Sequence, residues 1–240
     1  MRDYAKETEA RVNFIREKMS EAHVSGLVFG NSGGKDSALV GILCAKACEN
    51  LLAVAMPCNS RRNYGEDLDD AKRLANAFGI EMITVDLTET RNKIISAMDV
   101  KLSDAAKANI APRLRMTTLY SIAQTRNALV FGTGNRSENY MGYFTKWGDG
   151  AYDINPIADL TATEVFEFLR YLKAPESIIN KAPSAGLFEG QTDEREMGVT
   201  YKAIDEFITT GETDPASKAI IERYHRVSEH KRRMPAKFND

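Results

Sequence analysis

The chain has 240 residues, of which 43% are hydrophobic and 28% are charged, so it can bury a substantial core. A formal net charge of −2 excludes the strongly basic surface of a nucleic-acid-binding protein. The first residues, MRDYAKETEARVNFIREKM, are charged throughout, and no later stretch approaches the ~20 apolar residues that span a bilayer. We therefore expect one cytoplasmic domain over residues 1–240, without nucleic-acid or membrane partners.

Strands alternate with helices along the first half of the chain. The strands are predicted at residues 24–31, 51–57, 81–87 and 128–134. The helices are predicted at residues 4–22, from about Ser37, at 66–78 and over most of 88–126 with a break near Pro112. This alternation predicts an α/β fold, a Rossmann-like, doubly wound parallel sheet with helices on both faces.

The second half of the chain is less regular. Residues 145–160 and 182–198 are rich in Gly, Asp, Pro and Thr, and we expect them to form long functional loops. Residues 161–172 between them form a predicted helix, with Thr161 as N-cap and a glutamate three residues on. Residues 214–233 form a second predicted helix that ends in a basic cluster.

The most informative motif is GNSGGKDS at residues 30–37, directly after the first strand. Small residues let a backbone approach a ligand closely, and the N–H groups that open the next helix attract anions. We predict a phosphate site, with Ser32 and Ser37 as hydroxyl donors. It is not a P-loop, because Asp36 follows Lys35, and the adjacent glycines exclude the dinucleotide fingerprint. The alternative is a tight turn in which Asp36 and Ser37 only cap the helix.

The presence of Asp36 also predicts a metal ion beside this phosphate site. A carboxylate beside a phosphate is repelled unless a cation lies between them, and Mg²⁺ commonly bridges protein carboxylates to phosphates. Glu138, in GTGNRSEN after the fourth strand, is the predicted second ligand. The alternative for Glu138 is a solvated loop glutamate.

SGGKDS on a strand–helix turn resembles the signature of the N-type ATP pyrophosphatases, which split ATP between its α- and β-phosphates. Further blocks of the chain look like the ammonia-dependent NAD synthetases. These blocks are RLRMTTLYSIA (113–123), GTGNRSENYMGYFTKWGDGAYDINPIADL (132–160), PSAGLFEGQTDE (183–194) and SEHKRR (228–233). The resemblance covers most of the chain and implies the adenine nucleotide alpha hydrolase-like fold.

The resemblance implies that ammonia amidates deamido-NAD (nicotinic acid adenine dinucleotide) to NAD. ATP would be the co-substrate and Mg²⁺ the cofactor, with an adenylated intermediate and release of AMP and pyrophosphate. No covalent nucleophile from the protein is implied. Asp36, Ser32 and Ser37 would instead act by positioning and by charge stabilisation.

The resemblance also assigns individual residues. The implied ATP-binding residues are Gly30, Asn31, Ser32, Gly33, Gly34, Lys35, Asp36, Ser37, Thr133 and Ser184. The implied deamido-NAD-binding residues are Arg113, Lys146, Asp153, His230 and Lys231, and the implied metal ligands are Asp36 and Glu138. Taken singly, several have structural alternatives: Lys146 in a turn, Asp153 as a cap, and the basic cluster as a solvated helix end.

One position departs from the pattern. The family usually has a phosphate-contacting lysine in LYKTEV, whereas this chain reads LTATEV and has Ala162 there. The missing cation is expected to weaken pyrophosphate stabilisation unless Lys35 compensates. Residues 183–196 are expected to form a lid, because an acyl adenylate hydrolyses readily in water.

Free ammonia is the expected nitrogen source, because 240 residues leave no room for a glutaminase, and the resemblance implies a homodimer. One alternative is another N-type ATP pyrophosphatase, such as a GMP synthetase amination domain or a tRNA-modifying enzyme. The balanced charge and the lack of a C-x-x-C pair disfavour the tRNA-modifying enzyme. A second alternative is a non-catalytic nucleotide-binding regulator, which only Ala162 favours.

Overall fold

The computed structural model describes residues 2–181 and 192–238, and within them four parallel strands form one sheet in the order β3-β2-β1-β4. The strands are β1 (Gly26–Gly30), β2 (Leu51–Ala55), β3 (Glu81–Thr84) and β4 (Ala128–Phe131). Leu27 of the central strand pairs with Leu51 on one side and with Leu129 on the other. The predicted doubly wound α/β fold is confirmed.

Helices surround this sheet. They are α1 (Tyr4–Glu21), α2 (Lys35–Ala47), α3 (Arg61–Tyr64), α4 (Glu66–Phe78), α5 (Thr88–Ser96), α6 (Asp104–Ala108), α7 (Ile110–Arg126), α8 (Arg136–Met141), α9 (Ala162–Tyr171), α10 (Glu176–Ile179), α11 (Asp193–Met197), α12 (Tyr201–Thr210), α13 (Pro215–Val227) and α14 (Glu229–Arg232). None of the helices in the described part of the chain is long and apolar enough to cross a membrane.

Alternate side chains of the strands enter two separate cores, as the period of a strand requires. Leu27 and Phe29 lie in the larger core, with side chains of α1, α2, α4 and α9. Val28 lies in the second core, where Leu119 and Ala123 of α7 cover the opposite face of the sheet. A third cluster joins α8, α9, α12 and α13 beyond the sheet.

The predicted elements differ from the observed ones mainly at their ends. Each strand is shorter than predicted. β3 ends at Thr84, and beyond it the carboxylate of Asp86 accepts the Thr88 N–H at 2.9 Å where the chain turns into α5. β3 is also an edge strand whose Ile83 is 38% exposed, so it is not covered on both faces. Helix α11 lies within the predicted 182–198 loop, and α12 was not predicted.

The order of the strands determines where a ligand can bind. The chain runs from β1 outward to β2 and β3, and then returns to place β4 on the other side of β1. A crevice therefore opens beyond the carboxyl ends of β1 and β4, as at the switch point of other doubly wound sheets. The two glycine-containing loops, residues 30–37 and 132–138, meet there.

Candidate active site

The SGGKDS loop is held closed by its own hydroxyl groups. The Ser37 hydroxyl lies 3.0 Å from that of Ser32 and donates to the carbonyl of Gly34 at 3.0 Å. The N–H groups of Ser32 and Gly34 each donate to one of these hydroxyls at 3.3 Å. Gly34 is the N-cap of α2 and no side chain caps this end, so Asp36 is not the cap of the helix. The opening of α2 thus has the character of an anion site.

Helix α4 supports the loop from behind. Asn31 is 2% exposed, and its side-chain amide donates to the carbonyl of Ala71 at 3.0 Å and accepts the Gly33 N–H at 3.3 Å. Gly33 has a φ of +71°, and a Cβ there would lie 2.1 Å from the carbonyl oxygen of Asp67. Both the backbone conformation and the contact therefore require glycine at this position. Asn31 and Gly33 shape the loop by these contacts.

Asp36 and Glu138 converge on the ammonium group of Lys35. Lys35 Nζ lies 2.5 Å from Asp36 Oδ2 and 3.9 Å from Glu138 Oε1. All three side chains are largely buried, with 5% of Lys35, 16% of Asp36 and 19% of Glu138 exposed. The two predicted metal ligands, 102 positions apart in the sequence (36 and 138), are thus both brought within 4 Å of one positive charge.

Asn135 holds the two carboxylates in place. It is fully buried, and its side-chain amide donates to Asp36 Oδ1 at 3.0 Å. Its backbone N–H donates to Glu138 Oε2, and its side-chain oxygen accepts the Glu138 N–H, both at 3.0 Å, which forms a capping box at the start of α8. The sequence analysis did not single out Asn135 as a site residue. Its N-cap spacing to Glu138 is the signal that could have found it.

The electrostatics of this group are strongly perturbed. Burial, followed by repulsion from Asp36, raises the pKa of Glu138 above its ordinary value although Lys35 opposes the change. Burial acts to lower the pKa of Lys35, but the carboxylates of Asp36 and Glu138 outweigh it and raise that pKa. Asp36 and Glu138 therefore repel each other when both are charged, and a cation beside them relieves that repulsion.

A cavity of about 660 Å³ opens beside this cluster and is large enough for a nucleotide. Of the predicted nucleotide residues, it is lined by Gly30, Asn31, Ser32, Gly34, Lys35, Asp36, Ser37 and Thr133. Further lining residues that the sequence analysis missed are Arg115, Lys181 and Asp193.

Arg115 is a cation of the cavity wall without a carboxylate partner in the described part of the chain. Its Nε donates to the carbonyl of Met56 at 3.1 Å, and its Nη2 donates to Asn63 Oδ1 at 3.3 Å. Burial lowers the pKa of Arg115, but a guanidinium remains charged in proteins. Such a group favours an anionic ligand. Arg115 lies in the RLRM block, two residues after Arg113. This position in the block could have identified it as a candidate site residue.

Comparison with known proteins identifies the relatives of this arrangement. The NAD synthase family matches residues 7–235. The chain belongs to the NAD synthase family. An NH3-dependent NAD+ synthetase from Carboxydothermus hydrogenoformans is 50% identical over 97% of each chain, and one from Alkaliphilus metalliredigens is 45% identical over 97% of this chain and 98% of the relative. The suspected relationship to the ammonia-dependent NAD synthetases is confirmed.

Two solved NAD synthase relatives superimpose on the whole chain. The NMN synthetase from Francisella tularensis is 37% identical, with a TM-score of 0.95, and covers 100% of both chains. The NH3-dependent NAD synthetase from Campylobacter jejuni is 32% identical, with a TM-score of 0.82 over the same coverage. The described fold is therefore that of NAD synthases.

Four of the five residues that the NAD synthase resemblance assigned to deamido-NAD separate into two groups. Lys231 lines the cavity, where its ammonium donates to the carbonyls of Gly142 and Phe144, each at 2.8 Å. Arg113, Lys146 and His230 are outside the cavity and form a hydrogen-bonded surface row. Arg113 donates to the carbonyl of Lys146 at 3.3 Å, and Lys146 Nζ donates to that of His230 at 2.5 Å.

Asp153 lies in the loop between α8 and α9, beside Tyr120 of α7, and is already engaged by the protein. Its carboxylate accepts the backbone N–H of Val130 at 2.8 Å and the hydroxyl of Tyr120 at 3.1 Å. These bonds extend the edge of β4. Ser184 and most of the expected lid at 183–196 lie outside the described residues.

Ala162 is 1% exposed in the first turn of α9, where its N–H donates to the hydroxyl of Ser137 at 3.0 Å. The ammonium of Lys35 lies 5.7 Å from the ring centre of Phe166, one turn further along the same helix. The cation of Lys35 therefore reaches the helix that carries Ala162.

The donor set fits the magnesium that NAD synthases are expected to use. Mg²⁺ is typically bound by one or two protein carboxylates together with substrate phosphates. Asp36 and Glu138 supply the two carboxylates, and the opening of α2 beside them suits phosphates. No group of three or more potential ligand side chains occurs within residues 2–181 and 192–238, so phosphate or water oxygens would complete the coordination.

Proposed function

We propose that this chain is a cytoplasmic, homodimeric enzyme that uses ATP and Mg²⁺ to amidate deamido-NAD with ammonia, forming NAD, AMP and pyrophosphate. The observation that carries the proposal is the convergence of Asp36 and Glu138 beside the SGGKDS loop, at the carboxyl ends of β1 and β4. Relatives named NH3-dependent NAD+ synthetases, identical at up to 50% of positions, support the same reaction.

The first step activates the nicotinate carboxylate, which is a poor electrophile. One of its oxygens attacks the α-phosphorus of ATP, the bond from that phosphorus to the bridging oxygen breaks, and pyrophosphate leaves. Ser32, Ser37 and the N–H groups that open α2 would hold the departing phosphates by hydrogen bonds. Asp36 and Glu138 would hold the metal ion, which offsets the charge of the phosphates when bound.

In the second step, ammonia attacks the acyl carbon of the adenylate, AMP leaves with the electrons of the acyl–oxygen bond, and the nitrogen loses one proton to solvent to give the amide. No side chain of the protein is covalently modified in either step. The contribution of the protein is therefore to align the carboxylate with the phosphorus and to exclude water. Lys231 and Arg115 both lie on the cavity wall. We assign Lys231 to the phosphates of the acceptor and Arg115 to the phosphates of the nucleotide.

A product assay with purified protein, ATP, Mg²⁺, deamido-NAD and ammonium tests the proposal. NAD, AMP and pyrophosphate are expected in equal amounts, and all three should fall together in an Asp36→Asn variant. AMP without NAD would indicate another acceptor acid. ATP binding without AMP would favour a regulator and overturn the enzymatic proposal.

The second candidate function has nicotinate mononucleotide as the acceptor. Two observations favour it: the F. tularensis NMN synthetase superimposes at a TM-score of 0.95, and four of the five residues assigned to the dinucleotide lie outside the cavity. A competition assay with equal concentrations of both acceptors distinguishes the two. If the dinucleotide is the substrate, we expect Arg113→Met and His230→Ala to raise the KM for deamido-NAD and to leave that for the mononucleotide unchanged.

The homodimer has a candidate surface. Helices α5 and α6 contribute no buried residue, and the adjoining segments expose Ile83, Met98 and Val100, which are 38%, 43% and 71% exposed. Exposed patches of large apolar side chains mark protein–protein interfaces, and we propose that these three residues contribute to one. Sedimentation equilibrium should give twice the chain mass of 26.7 kDa, and Ile83→Lys combined with Met98→Glu should give the monomer. A monomeric parent protein would overturn this part.

A further inference from the structure

Lys35 occupies a position that ordinary helix energetics disfavour. It is the first residue of α2, where the positive end of the helix dipole repels a cation. It is also 6% exposed, and burial of an ammonium group is costly unless other groups compensate. Its place therefore depends on the charges around it rather than on the helix that carries it.

The ammonium lies among carboxylates and aromatic rings, and the charge of Asp193, which is bonded to the Tyr201 hydroxyl, also acts on it. Asp36 is the hydrogen-bonded partner, and Glu138 lies 3.9 Å away. The ring centres of Tyr201 and Phe166 lie 5.4 and 5.7 Å from Nζ. An ammonium group with three N–H donors is thus held by one hydrogen bond among the described residues, together with longer-range attraction.

Lys35 also lies at the point where a divalent cation would be shared by Asp36 and Glu138. Asn135 fixes the two carboxylates from outside, so their free oxygens face the ammonium. A metal ion that bridges the same oxygens cannot coexist with Nζ at these distances, because two cations in contact repel strongly. The ammonium must move before the metal can be bound.

We propose that Lys35 is a tethered counter-ion that fills the cation position between Asp36 and Glu138 until Mg²⁺ arrives together with the nucleotide. The proposal rests on the proposed function and adds a regulation of its site. Without nucleotide, the metal must displace an ammonium that the carboxylates of Asp36, Glu138 and Asp193 all attract, and no phosphate compensates for this loss, so the free metal binds weakly. With nucleotide, it contacts the phosphates held at the opening of α2, and metal and nucleotide strengthen each other's binding.

Titration with Mn²⁺, monitored by electron paramagnetic resonance, tests this without any acceptor. Wild type, Lys35→Gln and the matched control Lys46→Gln are each titrated alone and with α,β-methylene-ATP. Lys46 is exposed in the last turn of the same helix. Lys35→Gln is expected to bind Mn²⁺ alone roughly tenfold more tightly, because a like charge is removed from beside the ligands. Its gain in Mn²⁺ affinity from the nucleotide should shrink by a similar factor, whereas Lys46→Gln should match wild type.

Unchanged or weaker binding of Mn²⁺ alone by Lys35→Gln would overturn the proposal. Thermal unfolding gives a second measurement if the variant is unstable: Mn²⁺ without nucleotide should raise the Tm of Lys35→Gln more than that of wild type, and an equal shift would also overturn it. Failure of the proposed function is distinguishable. In that case the Mn²⁺ results hold while the product assay gives no NAD.

Discussion

Two clusters of cations and carboxylates in this protein differ in how fully the cation is used. At the amino-terminal helix, all five N–H donors of Arg11 are engaged. They donate to both oxygens of Asp159, to Glu7 and to the carbonyl of Pro156. This saturated fork ties α1 to the loop before α9. A guanidinium held in this way has no donor left for a ligand.

The cluster of Lys35, Asp36 and Glu138 in the cavity is the opposite case. Its ammonium makes one described hydrogen bond, and both carboxylates keep an oxygen directed toward it. Burial is similar in the two clusters, since the Arg11 and Lys35 side chains are 10% and 5% exposed. Unused hydrogen-bonding capacity rather than burial therefore distinguishes the ligand site at Lys35 from the structural ion pairs of Arg11.

We call the cluster of Lys35, Asp36 and Glu138 the unsaturated cluster, because its ammonium keeps unused hydrogen-bonding capacity. The largest expected effect comes from removing one of its carboxylates. Asp36→Asn keeps the shape of the side chain but removes the charge, and we expect kcat to fall by at least about a hundredfold. The measurement is AMP release at saturating ATP, with circular dichroism to check folding. The conservative Asp36→Glu variant is the control and should retain metal binding. Full activity of Asp36→Asn would refute the metal role of Asp36.

The cluster of Arg11, Glu7 and Asp159 is the saturated cluster, because every N–H donor of its guanidinium is used. Breaking it should lower the stability of the protein rather than its activity. Arg11→Met leaves Glu7 and Asp159 with only the more exposed Arg2 as a shared partner, and we expect the free energy of unfolding to fall by about 2 kcal/mol, less than for a fully buried pair because Asp159 is half exposed. Urea denaturation measures this change, and kcat should stay within about twofold of wild type. A large loss of kcat with unchanged stability would reverse the assignment of the two clusters.

Local patterns in the sequence were sufficient for much of the fold. The turn after β1, the sheet and the capping box of Thr161 and Glu164 were all predicted, because each depends on neighbouring residues or on simple periodicity. Strand ends were predicted less well. β3 ends at Thr84, before its apolar pattern does, and beyond it the side chain of Asp86 bonds to the backbone of Thr88, a contact that hydrophobic alternation does not reveal.

The site was predictable only where its residues belong to a motif. Asp36 and Glu138 stand in recognisable loops, but Asn135 acquires its role from a contact between residues 99 positions apart. Arg115 likewise becomes a candidate ligand only because the fold gives it hydrogen bonds to Met56 and Asn63 and no direct ion pair among the described residues. Such properties depend on which side chains tertiary packing brings together, and spacing along the chain does not contain that information.

Asn135 offers a smaller test of the unsaturated cluster. Asn135→Ala removes the amide that holds Asp36 and the side-chain cap of α8, while the backbone N–H to Glu138 remains. We expect Mn²⁺ affinity in the presence of α,β-methylene-ATP to fall by about tenfold, as is typical when a residue that orients a metal ligand is lost. The exposed Asn92→Ala variant is the control. Unchanged affinity would mean that Asp36 is positioned without Asn135.

The smallest expected effect is a pH dependence of the saturated cluster. Burial alone would raise the pKa of Asp159, but the hydrogen bond and charge of Arg11 outweigh it and lower that pKa. A carboxyl group with a lower pKa in the folded state stabilises the protein above its unfolded pKa, and this contribution is lost as the pH falls through the folded pKa.

The stability difference between wild type and Asp159→Asn should therefore be largest near pH 7 and should shrink toward pH 3. It should stay below about 1 kcal/mol, because Asp159 is half exposed and solvent screens the pair. Urea denaturation across this pH range measures it. In an Arg11→Met background the same substitution should show a weaker pH dependence, because the cation that lowers the pKa of Asp159 most is gone and only Arg2 remains. A stability difference between wild type and Asp159→Asn that grows toward low pH would contradict the structural role of the Arg11–Asp159 pair. It would mean that the folded protein stabilises the protonated form of Asp159.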